Sequence, residues 1–266
     1  MLQTLPVLWH LARLKARTNL EYRSGLVIAW VAQAFGYAGV YAAIWIITSR
    51  FERLGGWVWP EIALMLGFHV FAYALGACFT LVQLRGMDEL VRRGGFDALL
   101  VRPIHPWLYL VFSGFNIEYG GHFALGLLLM FWAMPLLDVT WSLPLVLQFV
   151  GSIISAALLT GALLTMLGAS AMVLGRSRYL FGIYFDFWEI ARYPLTIFAP
   201  ALQLVLLTVV PLAFMAYVPV AVILDKPVPL LGGWAWLATL LAGPVVALLA
   251  AFYWRACEGR YQSGGG

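Results

Sequence analysis

Charged side chains are scarce in this chain, so the places where they gather are where chemistry or contact is to be expected. Residues 84–106, LRGMDELVRRGGFDALLVRPIHP, hold Arg85, Asp88, Glu89, Arg92, Arg93, Asp97 and Arg102 between two apolar stretches. Residues 87–93 read as a short helix stopped by Gly94-Gly95, and residues 96–102 as a second turn or two stopped by Pro103. Phe96, Leu99 and Leu100 recur at i, i+3, i+4, which gives the second piece one apolar and one charged face. An amphipathic piece of this kind at a membrane surface offers a grip to a peripheral partner. The plainer alternative is a solvated link in which Arg102-Pro103 ends a helix and points a cation at phospholipid. We expect a docking loop, with Asp97 and Arg102 as polar contacts or braces and Phe96, Leu99 and Leu100 as its apolar grip. Asp88, Glu89, Arg92 and Arg93 supply the rest of its charge.

A second candidate is Glu118 with His122, whose i, i+4 spacing predicts one helix face. An ionisable pair inside a membrane is a functional hypothesis by default, here a tentative place on a transport pathway. Two ligands without a third argue against a metal site. Ala157, Gly161 and Thr165 form a ladder of small residues that lets helices approach closely, within the chain or at a seam between two copies. His10, His69 and His105 are scattered and support no hydrolytic triad. A phosphate-binding loop needs Gly-Lys-Ser/Thr, and the only two lysines, Lys15 and Lys226, follow Leu14 and Asp225. Any ATP that drives this protein is therefore expected on another chain, and no cofactor is expected on this one. Cys78 and Cys257 have no CxxC partner, so neither a disulfide framework nor a zinc site is suggested.

These residues must be positioned by membrane helices. The 266 residues are 63% hydrophobic and 11% charged, with mean hydropathy +0.90. Soluble domains are typically about a quarter charged. The expected fold is all-α and polytopic, one transmembrane domain over residues 1–266. Its six spans fall at residues 26–48, 62–83, 119–137, 143–174, 194–210 and 235–254. Residues 1–24 read as an amphipathic helix lying in the interface, because Leu8, Leu11, Ala12 and Lys15 share a face; Arg13, Lys15 and Arg17 argue against a cleaved leader. Residues 175–193 read as an amphipathic segment outside the membrane. Residues 211–234, broken by Pro211, Pro219, Pro227, Pro229 and Gly232-Gly233, read as short outer helices or a re-entrant hairpin. This layout puts 13 of the 16 lysines and arginines on one side, leaving Arg50, Arg53 and Lys226 on the other. The excess marks the cytoplasmic side, where both termini and the 84–106 loop are expected. The net charge of +4 then faces anionic lipid and implies no nucleic-acid partner.

The segment GGFDALLVRPIHP, from Gly94, resembles the Gly-x-x-Asp-x-x-Leu-x-Arg-Pro signature of a branch of the type-2 ABC exporter permeases. ARYPLTIF from Ala191, VVPLAFMAYVP from Val209 and RYQSGG from Arg260 are similar to further blocks of that branch, in the same order. The resemblance implies a six-helix membrane subunit with an N-terminal interfacial helix, a coupling helix between spans two and three, and broken outer helices before the last span. It also implies two ATP-binding partner subunits, which hold the ATP and Mg, and pairing with a second permease as a homo- or heterodimer. By the same resemblance this chain is no enzyme, and sits in the inner membrane of a bacterium. In the tail, Gly264 follows Ser263 where a Thr is usual in the branch. Apolar or amphipathic cargo would suit so aromatic a chain. The rival expectations are an ion-coupled transporter using Glu118 and His122, or a membrane scaffold that transports nothing.

Overall fold

A computed structural model of the chain describes residues 4–263, which are helical almost throughout with no strand among them. The first helix, α1 (Thr4–Glu21), buries Leu8 and Ala12; residues 1–3 of the expected interfacial helix lie outside the described residues. After a break at Tyr22 comes α2 (Arg23–Phe51), long enough at 29 residues to extend about 43 Å. Gly55 and Gly56, at φ +58° and +88°, turn the chain back into α3 (Trp59–Arg85). Glu61 accepts a hydrogen bond from the Val58 N–H at 3.0 Å and so satisfies a free donor at the start of α3.

Gly86 interrupts the helix, and the loop that follows carries α4 (Met87–Arg92) and α5 (Asp97–Leu100). Pro106 then opens α6 (Pro106–Ser113), which packs beside α1. A 3₁₀ turn, Ile117–Tyr119, leads into α7 (Gly120–Ala133). Next come α8 (Leu143–Ala169) and its short continuation α9 (Ala171–Leu174). The chain continues through α10 (Arg178–Ile190), α11 (Pro200–Thr208), α12 (Tyr217–Ile223) and α13 (Ala235–Glu258). Five stretches are long and apolar enough to cross a membrane: Arg23–Phe51, Trp59–Arg92, Ile117–Leu136, Leu143–Leu174 and Gly232–Glu258. The chain is an integral membrane protein.

The remaining traverse differs from the expected one. Residues 175–193 do not lie outside the bundle. At its start, Arg178 bonds to Asp88 in the 84–106 loop; at its far end, the Thr196 hydroxyl donates to Gly55 O at 2.7 Å. Those two anchors sit at opposite ends of α3, so α10 and the turn after it run the full length of the bundle. Charged residues on α10 hid this crossing, and the apolar run at 194–210 stood in for it. That run instead yields α11, which enters a hairpin at the far end. There the 3₁₀ turn Leu212–Met215 brings Met215 Sδ within 3.9 Å of Thr160 Oγ1, deep along α8. The chain returns through α12 to Lys226, which pairs with Glu61 at 2.7 Å and donates to Gly56 O at 3.1 Å.

The core is organised on α3, whose apolar window is 83% buried, against 11% for α2. On α3, Gly67 meets Gly126 of α7 so closely that a Cβ on either would fall within 3 Å of the other's carbonyl oxygen. The contact between α8 and α13 is tighter still. A Cβ on Gly243 would lie 1.9 Å from Ser155 O, and the Gly243 N–H donates to Ser155 Oγ at 2.9 Å. We expect Gly243→Val to destabilise the chain by at least about 2 kcal/mol, because both colliding groups are backbone; a drop in the detergent melting temperature without loss of synthesis is the measurement that checks this.

Candidate functional site

The 84–106 loop is held from three directions. Asp88, 9% exposed, turns inward from α4 and accepts from the Ser177 N–H at 2.6 Å, the Ser177 hydroxyl at 2.8 Å and the Arg178 N–H at 3.0 Å. The first amides of α10 have no partner within their own helix, and an anion at that end also meets the positive pole of the helix dipole. A carboxylate on the loop thus caps a helix packed inside the bundle. Each charge-assisted bond of this kind contributes about 1.5–3 kcal/mol.

The second hold is the chain's tail. Asp97 accepts from the Ser263 hydroxyl at 2.6 Å. Phe96, fully buried, sets its ring edge-on to Tyr261 at 5.0 Å and lies 6.3 Å from Trp254 of α13. Burial, and then the neighbouring Asp97 carboxylate, push the Tyr261 phenol upward, so it remains protonated. The third hold is Arg102, whose guanidinium lies 4.3 Å from the centre of the Tyr109 ring on α6. Facing away from the bundle are Glu89 and Arg93, paired at 2.6 Å, together with Arg92, Leu100 and Val101; Val101 is 84% exposed.

A polar and aromatic cluster lies inside the bundle between α2, α3, α7 and α10. The Trp188 ring is 4.6 Å from His69 and 4.8 Å from Tyr73, while His122 is 5.2 Å from Tyr37 and 5.1 Å from Tyr119. Arg192, 3% exposed, stacks over Trp188 at 5.3 Å and pairs with Glu189, which sits on the open face of α10. Both ring nitrogens of His69 lack a hydrogen-bond partner among the described residues.

A family profile described as ABC-2 family transporter protein matches residues 34–265. The chain belongs to the ABC-2 transporter family. Neither the curated proteins nor the solved structures gave a match.

For an ABC-2 membrane subunit, the placement of the expected residues is informative. Glu89, Arg92, Arg93, Leu100 and Arg102 are exposed on the loop. Asp88, Phe96 and Leu99 are buried against the chain itself, and Asp97 is half-buried under the tail. The i, i+3, i+4 stripe is real, but Phe96 spends it on Trp254 and Tyr261 and Leu99 is buried, so Leu100 and Val101 carry the outward apolar surface. Val101 was missed because one more apolar residue before Arg102 carries no pattern of its own. Glu118 and His122 sit in different surroundings. Glu118 sits in the 3₁₀ turn, exposed and bonded to Asn116 through its N–H (2.9 Å) and its carboxylate (3.2 Å), whereas His122 is buried in α7. Between them the 3₁₀ turn passes into α7. His69, Glu189 and Arg192 were missed as site residues: His69 had no partner in its neighbourhood of sequence, and the other two fell in a segment read as extramembrane. The buried spacing Phe181, Tyr184, Trp188 was the available signal that this segment is a helix packed inside the bundle.

Asp97→Ala should release the tail. Losing one charge-assisted bond costs about 1.5–3 kcal/mol locally, and faster hydrogen exchange confined to residues 94–102 and 259–263 would register it.

Proposed function

We propose that this chain is the permease subunit of an ABC exporter, with the 84–106 loop as the element that receives motion from an ATP-binding subunit. The supporting observation is the Asp88 cap. A displacement of the loop acts on the first amides of α10, so a push at the surface is delivered along an axis through the bundle. Rigid-body response of packed helices to a moved terminus is an ordinary form of switching. Two ATP-binding subunits hold ATP and Mg and do the hydrolysis; this chain contributes no nucleotide-binding motif and no enzymatic step. The outward residues Leu100, Val101 and Arg102, with the charges of Glu89, Arg92 and Arg93, form the contact surface for that partner.

The loop lies on the cytoplasmic side of a bacterial inner membrane in this reading, and so do both termini. Arg192 leaves the earlier tally because it is buried in the bundle. Twelve lysines and arginines then remain at the loop end, against Arg50, Arg53 and Lys226 at the other. Two permeases, identical or different, pair through α2 and α10. The exposed flank of α10 carries Gly182, Ile183, Asp186 and Glu189, and Gly36 and Gly39 on α2 have nothing near them. Six crossings enclose little space alone, so the route for an apolar or amphipathic substrate runs along that seam, outward. The ion-coupled alternative would use Glu118 and His122, of which Glu118 is exposed and bonded to Asn116 while His122 is buried.

Purification of the tagged chain from its host in mild detergent should bring down an ATP-binding subunit in stoichiometric amount, with ATPase activity. Leu100→Asp combined with Arg102→Ala should reduce that association at least about tenfold, the equivalent of 1.4 kcal/mol, with membrane insertion unchanged. Asp88→Ala should keep the association and the ATPase while lowering efflux of an amphipathic dye at least about tenfold. A chain that purifies alone after crosslinking, without ATPase, would sink the reading.

A further inference from the structure

A cleft of about 740 Å³ opens on the side of the bundle between α3, α6, α8 and α13. These helices are distinct from α2 and α10, which present the open faces described above. The floor of the cleft is made of small residues, among them Ala157, Gly161, Ala250 and Ala251, and Trp107 is held at its edge by donating from Nε1 to Thr165 Oγ1 at 3.1 Å. The ladder of Ala157, Gly161 and Thr165 thus borders an open trough over part of its length. Its lining is apolar apart from the Thr80 and Thr165 hydroxyls, which bond back to their own helices, and one end, where His105 and Arg255 stand at the loop side of the bundle.

Dimensions decide what fits. From Ile154 to Thr165 the lining follows α8 for about 16 Å at 1.5 Å per residue, close to half of a hydrocarbon core of about 30 Å. An apolar trough of that length suits flexible hydrocarbon. The mouth adds charge. Arg255 is exposed and makes no ion pair among the described residues. His105 Nδ1 accepts from the Trp107 N–H at 3.2 Å, which leaves Nε2 as the donor of the neutral ring. Two donors at headgroup level above an apolar trough one leaflet deep match an anionic phospholipid.

We propose that this cleft is a binding site for one phospholipid of the loop-side leaflet, its acyl chain lying along α8 and its phosphate held by Arg255 and His105. The occupant is a resident lipid of the bilayer, bound apart from any transport route.

The test is native mass spectrometry of the chain purified with its partner subunits, exchanged against vesicles of equal dioleoyl phosphatidylglycerol and dioleoyl phosphatidylethanolamine. The expected result is about one lipid per chain, with phosphatidylglycerol favoured about fivefold. Arg255→Gln should bring that ratio close to one. Ala251→Trp should abolish retention by filling the trough, and Ala247→Leu, a smaller change in the same lining, should weaken it. Leu248→Trp on the neighbouring exposed surface should leave retention unchanged. Absence of bound lipid in the wild type, undiminished retention in both filled variants, or a headgroup ratio indifferent to Arg255 would overturn the proposal.

Discussion

A carboxylate at the start of a membrane helix is the constraint on which the rest of this molecule depends. Asp88 satisfies amides at the beginning of α10 that have no partner within α10. Had the capping group belonged to α10 itself, loop and helix would be neighbours with independent positions. Because it comes from α4, 89 residues earlier, they share a position. The charge is stabilised by the helix terminus, and the terminus is stabilised by the charge, so neither is comfortable alone.

The helices divide into a fixed group and a looser one. On the fixed side, α3, α7, α8 and α13 approach through glycine until backbones touch, a mode of association available in lipid where apolar surface alone offers little preference. The far-end hairpin joins this group through Lys226 and Glu61. On the other side, α2 leaves most of its surface uncovered and touches α7 closely where Trp30 meets Gly120 and Gly121, and α10 is joined to α3 by aromatic edges beyond its Asp88 cap. Aromatic edges slide at lower cost than interlocked backbones. The ABC-2 membrane subunit is thus expressed here as an interlocked core flanked by two helices that are less deeply packed.

Much of this was legible in the amino-acid sequence, and the failures share a cause. Hydropathy located five crossings because each is long, apolar and bounded by Gly, Pro or charge. The crossing it misplaced is the one with polar business of its own. Asp186, Glu189 and Arg192 lower the apolar content of α10, and a reading based on composition moves such a helix out of the membrane. The same limitation applied to the loop. Periodicity identified the Phe96 and Leu99 stripe, but a stripe does not state whether it meets a partner or its own chain. Nothing within reach of local sequence connects Asp88 with Ser177 or Asp97 with Ser263; these are agreements between residues that meet only after folding.

The clasp between the tail and the loop carries a consequence in time. Asp97 and Ser263 are 166 residues apart, and Phe96 also waits for Trp254 and Tyr261. During synthesis the loop emerges early, while its last immobilising contacts exist only once α13 has been made and inserted. Until then, α5 has an unburied Phe96 and an unanswered carboxylate. The surface offered by the loop therefore matures with the final helix, and a chain stalled before that helix presents its partners with a different, unfinished shape.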